Sequence, residues 1–150
     1  MAVDRSFERR LAGLVNGRAA AALHGGLKGV EKESLRVTPR GRIAASPHPK
    51  ALGSALTNEH ITTDYSEALS EFITPAYTDA RDTVAFLDNV HRYVHQYLPP
   101  DEVLWSSSMP CAVADDSAIP IAEFGTSNLG KLKHTYRVGL DYRYGRRMQA

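Results

Sequence analysis

The sequence predicts an α+β fold, an antiparallel sheet with packed helices, on three observations. "KGVEKESLRVTPRGRI" reads as a strand over 28–38, a turn at Pro39-Arg40-Gly41 and a short partner through Ile43, the outline of a hairpin. "HITTDYSEALSEFITP" holds two more extended pieces, Ile61 to Tyr65 and Leu69 to Thr74, the second stopped by Pro75. From Thr78 to Leu98 the pattern turns helical, with Val84, Leu87, Val90, Val94 and Leu98 at spacings of three and four.

The remaining elements fit around these. "SFERRLAGLVNGRAAAALHGG" carries Phe7, Leu11 and Leu14 and a small-residue tail before Gly25-Gly26, which predicts an opening helix ended by glycine. "HPKALGSAL" predicts one short helix. In the long helix, Asp79 and Asp82 lie where the N-terminal dipole favours negative charge, and Pro99-Pro100 ends it. A loop-rich stretch then runs through Trp105 and "SMPC" to "FGTSN". Ser127 or Thr126 can cap a second strong helix, with Leu129, Leu132, Tyr136, Leu140, Tyr144 and Met148 along one face. That helix is expected to reach Ala150 without a glycine or asparagine cap. A strong pattern cut short in this way suggests part of a longer protein.

Bulk properties exclude more than they assign. At 150 residues, 43% hydrophobic and 23% charged, the chain can bury a sizeable core as one domain. A formal net charge of +1 argues against a generally polyanionic partner. Lys131, Lys133, Arg137, Arg143, Arg146 and Arg147 make the last helix basic, but they are spread around it, so no nucleic-acid partner is expected. Cys111 is the only cysteine, which rules out an intrachain disulfide and any CxxC metal site, and it reads as a packed small hydrophobe. His91 and His95, four apart on one helix, read as a surface pair. The run "AAAAL" is too short for a signal core or a membrane span, so no membrane partner is expected and the chain is read as cytoplasmic.

The chemistry starts with Glu31 and Glu33. Two residues apart on a strand, they face the same way about 6.6 Å apart, while Lys32 faces the other way. At that distance two unit charges repel by about 2.5 kcal/mol at an effective dielectric of 20. Water on that face, a cation from another element or a metal could relieve it. For an isolated pair a solvated strand face is the simpler reading.

A second acidic cluster shifts the balance. Asp64, Glu67 and Glu71 follow in "TTDYSEALSEFITP", and Glu71 sits among Leu69, Phe72 and Ile73. A carboxylate in so apolar a strand needs a partner. Asp64 and Glu71 differ by seven positions, which one regular strand would put on opposite faces; a bend or helical turn at Ser66-Glu67-Ala68 could bring both inward. Converging carboxylates suit a hard cation, Mg²⁺ or Mn²⁺, and leave room for phosphate oxygens, so an ATP site is a natural use. Neither GxxxxGK[ST] nor GxGxxG occurs, so any ATP would not bind through a P-loop.

"LKGVEKESLRV", "HPKALGSALTNEHITTDYSEALSEFITP", "SMPC" and "FGTSNLGKLKHTYRVGLDYRYGRRMQ" together resemble the N-terminal part of the bacterial glutamate–cysteine ligases (gamma-glutamylcysteine synthetases). The resemblance covers residues 27–150 in collinear order. It implies the opening part of a truncated catalytic domain over 27–150, with the remainder of the full-length chain as its partner; the N-terminal helical segment over 1–26 rests on its own pattern. The implied fold is that of the glutamine synthetase-like (carboxylate–amine ligase) superfamily. The implied activity is ATP-dependent joining of the L-glutamate γ-carboxylate to L-cysteine through a γ-glutamyl phosphate, in glutathione biosynthesis. By the same resemblance Glu31, Glu33, Asp64 and Glu71 match metal ligands for Mg²⁺ or Mn²⁺, and Glu67 matches an acidic position outside the metal set. Tyr65, Tyr136, Leu140 and Gln149 match a pocket for the cysteine substrate. On pattern alone Tyr136 and Tyr144 read as core. Two other readings stay open, a non-catalytic metal-binding or interaction module and a related ligase with another acceptor amine.

Overall fold

The computed structural model describes residues 5–17 and 24–146. Four strands, β1 (Glu31–Val37), β2 (Ile61–Thr63), β3 (Leu69–Ile73) and β4 (Val103–Leu104), form one antiparallel sheet in the order β2-β3-β1-β4. Among the described residues three helices accompany it: α1 (Ser6–Asn16), α2 (Ala80–Tyr97) and α3 (Asn128–Tyr144). The predicted α+β class with an antiparallel sheet is what forms.

The core lies on one face of the sheet. Ile61 and Phe72 are paired across β2 and β3, so both point the same way, and with Leu52 they bury against Val90 and Val94 of α2. Phe86, Leu87, Leu98 and Leu104 complete this layer. Of the helical stripe read from the sequence, Leu87, Val90, Val94 and Leu98 pack here, whereas Val84 is exposed. Asp79 caps α2 by accepting from the Arg81 amide, as its position predicts. His91 belongs to this layer: its Nδ1 lies 2.7 Å from the Leu87 carbonyl and its ring meets Phe72 edge-on.

The same buried face holds a polar group that no pattern predicted. Arg36 is fully buried, bonded to Glu102 at 2.8 Å, to Ser46 Oγ at 2.6 Å and to the Ser46 and Glu67 carbonyls. A charge this deep stays ionised only with such a set of acceptors. It ties β1 to the chain before and after α2.

Several expectations need correction. The opening helix is interrupted after Asn16, where Gly17 is extended; the rest of that expectation, toward Gly25-Gly26, falls on residues 18–23, outside those described. Its apolar residues Phe7, Leu11 and Leu14 are exposed, and α1 buries nothing among its own residues. "HPKALGSAL" yields only a 3₁₀ turn, Lys50–Leu52, because Gly53 takes a φ of +88° and breaks the spiral. The hairpin after β1 closes by a single bridge between Val37 and Ile43. The last helix ends at Tyr144, where Gly145 (φ +77°) donates its amide to the Asp141 carbonyl. It therefore has the glycine cap the sequence reading missed.

Candidate functional site

Strand pairing settles where the carboxylates point. Phe72 faces the core, so Glu71 faces away from α2. Glu33 lies directly across from Glu71 and shares that outer face; Glu31, two residues back and opposite Ile73, shares it too. Thr62 is Glu71's neighbour on the other side. Asp64, two residues beyond Thr62, donates its amide to the Leu69 carbonyl at 3.0 Å and falls on the same face. Faces match by pairing across the hairpin, not by counting along one strand. The reversal at residues 65–68, closed by the Leu69 amide on the Ser66 carbonyl, supplies the bend the sequence required. All four carboxylates thus share one face.

Lys32 turns the other way, as alternation predicts. Its ammonium lies 5.8 Å from the Phe72 ring centre and bonds to Ser34 Oγ, and burial lowers its pKa.

Crowding leaves an electrostatic trace. Burial first, then the charges of Asp64 and Glu31, raises the Glu33 carboxyl above its ordinary range. Burial again leads for Glu71, followed by Asp64, Glu31 and Glu33. For both, Arg137 is the opposing influence. That guanidinium comes from α3, with Nη2 2.6 Å from Asp64 Oδ1 and both side chains partly sheltered from solvent. By sequence alone Arg137 stands only among the scattered basic residues of the last helix. The available signal was the repulsion itself, one of whose remedies was a cation from another element.

Could this face hold a divalent ion? Among the described residues no three Asp, Glu, His or Cys side chains stand close enough to ligate one ion as arranged here. Like charges on one face repel, and among the described residues Arg137 is the cation paired with one of the four. The chemistry of the donor set fits a hard cation: every donor is a carboxylate oxygen, and a positive group already sits on Asp64. Glu67 takes no part. Its buried carboxylate accepts from the His48 amide at 2.7 Å and from the Glu123 amide at 2.8 Å, clamping two loops.

The residues matched to a substrate pocket divide three ways. Tyr65 is 1% exposed, packed where the chain turns between β2 and β3, with its hydroxyl near the Asp141 carboxylate. Burial and then the nearby Asp141 carboxylate raise its pKa, while Arg146 opposes. Tyr136 is 62% exposed and Leu140, one turn on, is half-buried, so the reading of Tyr136 and Tyr144 as core is wrong. Gln149 lies outside the described residues.

The reason lies in how α3 docks. Among its described residues only Gly130 is buried, where the Phe124 carbonyl oxygen stands 2.3 Å from the position a Cβ would take. The other attachments are polar. Ser127 Oγ caps Gly130, His134 Nδ1 meets the Ala122 carbonyl at 3.2 Å, Arg137 holds Asp64, and Arg146 bonds Asp141 and the Ile119 carbonyl. The apolar stripe is left facing outward. Cys111 behaves as expected of a packed thiol: it is buried, and burial pushes its pKa up. No described helix is long and apolar enough to cross a membrane.

Comparison with known proteins identifies the family. The family model described as glutamate-cysteine ligase matches residues 11–150. A glutamate–cysteine ligase of Alcanivorax borkumensis is 54% identical over 97% of this chain and 27% of its own length. One from Pseudomonas putida is 61% identical over 82% of this chain and 23% of its own. Among solved structures, the Francisella tularensis glutamate–cysteine ligase in complex with AMP superposes with a TM-score of 0.77 at 42% identity, over 80% of this chain and 24% of that one. A bifunctional glutathione synthetase from Pasteurella multocida gives a TM-score of 0.71 at 30% identity, over 96% of this chain and 17% of that one. The chain spans about a quarter of the length of the curated relatives it matches.

Proposed function

The chain belongs to the glutamate–cysteine ligase family, and from that premise we propose that it serves ATP-dependent formation of γ-glutamylcysteine, in the cytoplasm, as a step toward glutathione. Glu31, Glu33, Asp64 and Glu71 are the proposed ligands of Mg²⁺ or Mn²⁺ on the outer sheet face. A divalent ion held there would neutralise charge on the transferring phosphoryl group and keep attacking and leaving oxygens in line. In the proposed reaction the glutamate γ-carboxylate takes the γ-phosphoryl of ATP, and the cysteine amine then displaces phosphate from the acyl phosphate. Tyr136 and Leu140, one helical turn apart, with Tyr65 and Gln149, are the proposed acceptor-selecting residues. The glutamine synthetase-like superfamily and the 1–26 and 27–150 division belong to the same proposal.

One observation carries the reading: four carboxylates from three strand segments share a face with the Arg137 guanidinium. The test is ADP release from ATP with glutamate and a panel of acceptor amines, by a ligase of the relatives' length carrying this chain. Cysteine-dependent release supports the proposal, and release with another amine alone overturns it. In that protein Glu31→Gln and Glu33→Gln should each lower kcat by about a hundredfold or more without altering the circular dichroism. Wild-type turnover at saturating Mg²⁺ would remove both residues from the ligand set.

A further inference from the structure

We propose that Arg137 is a resident counter-ion of the carboxylate face, which a divalent cation must displace from Asp64 in order to bind. This rests on the reading of that face as the cation site.

The geometry sets the two occupants in competition. Nη2 of Arg137 stands 2.6 Å from Asp64 Oδ1, in direct contact with the oxygen a metal would take at about 2.1 Å. Asp64 sits at the hairpin end, on the same face as Glu33 and Glu71. A doubly charged ion bridging these groups would therefore lie within a few ångströms of the guanidinium, and the two positive centres repel. The charge count favours exchange. Four carboxylates balanced by one guanidinium leave three formal negative charges on the face, and a divalent ion neutralises more of them than Arg137 does.

Release does not require α3 to leave. His134 at the Ala122 carbonyl, the Gly130 contact with Phe124 and Arg146 at the Ile119 carbonyl hold the helix on either side of Arg137. The guanidinium can leave Asp64 by side-chain rotation alone, at a position already partly open to solvent. The metal-free face then keeps its carboxylates from full mutual repulsion, at the cost of weaker cation binding.

The test measures cation binding directly. Mn²⁺ is titrated into this chain and its variants, with free Mn²⁺ read by electron paramagnetic resonance. Arg137→Gln should bind Mn²⁺ roughly three- to tenfold more tightly than wild type, because the competing charge is gone, while Arg137→Lys should stay within about twofold. Equal or weaker binding by Arg137→Gln overturns the proposal. The wild-type protein supplies a second readout that needs no variant to fold. The Arg137 Nε–Hε resonance in a ¹⁵N-labelled sample should shift on Mg²⁺ addition with the midpoint of binding. A resonance that stays put at saturation overturns the proposal while leaving the cation face standing. If no Mn²⁺ binds, or if Glu31→Gln and Glu33→Gln leave its affinity unchanged, the cation face falls and the counter-ion role falls with it.

Discussion

Arg137 of α3 holds Asp64 at the end of β2, Nη2 to Oδ1 at 2.6 Å, and it is the positive charge that relieves Glu33 and Glu71. The pair is partly sheltered, so it should contribute more than a fully exposed one and less than a buried one. A double-mutant cycle with Asp64→Asn and Arg137→Gln, followed by urea unfolding in chelator, should return a coupling of about 1 kcal/mol. Saturating Mg²⁺ should reduce that coupling to near zero. A coupling that survives Mg²⁺ would show the pair intact under the cation.

Glu71 offers a pH test with a definite sign. Its folded pKa is raised, so its contribution to stability is present below the ordinary glutamate range and is lost as pH rises through the folded value. Glu71→Gln should match wild type near pH 4 and exceed it near pH 8 by about 0.5 kcal/mol without metal, a figure discounted for solvent screening. Urea midpoints across that range check it. A variant less stable than wild type at pH 8 would mean that Glu71 is favourably paired.

Glu67 should separate structure from ligation. Removing its carboxylate leaves the His48 and Glu123 amides without acceptors in a buried setting. Glu67→Ala should therefore cost about 2–4 kcal/mol, yet leave Mn²⁺ affinity per folded molecule unchanged. Loss of cation affinity with stability intact would reverse that assignment.

Gly130→Ala should loosen α3 from the sheet. The added methyl would meet the Phe124 and Gly125 carbonyl oxygens at 2.3 and 2.8 Å, both backbone atoms that cannot swing aside. Alanine's better helix propensity offsets about 1 kcal/mol, and a net loss of about 1–3 kcal/mol is expected. Hydrogen exchange should quicken in α3 while α2 keeps its protection. Uniform protection would show that the loop had adjusted.

His48 sets the acid limb. Burial and then the neighbouring Arg36 charge lower its pKa, and a backbone hydrogen bond at Gly53 opposes them. With the folded value depressed, its contribution is present above the ordinary histidine range and is lost as pH falls through the folded value. Wild type should thus lose stability between about pH 7 and pH 5, and His48→Leu should flatten that slope. Parallel slopes would place the acid sensitivity elsewhere.

Periodicity made much of this molecule legible. The stripe of Val90 and Val94 named the face of α2 that packs, and alternation put Glu31 and Glu33 together and Lys32 apart. The same reasoning failed on α3. A stripe of Leu129, Leu132 and Tyr136 looks like core by spacing, but spacing carries no information about whether another element is present to cover it. It failed again on Gly145, whose role as a cap depends on a φ of +77° that composition alone does not announce.

By itself the sequence determined the kind of elements, the outer and inner residues of β1, and an all-oxygen donor set, because these follow from local geometry and side-chain chemistry. Tertiary structure decided which distant groups meet. The parity of Asp64 and Glu71 came from pairing across a hairpin, and the partner of Asp64 came from a helix far along the chain. Such meetings depend on long-range register and docking, and no window of neighbouring residues encodes them.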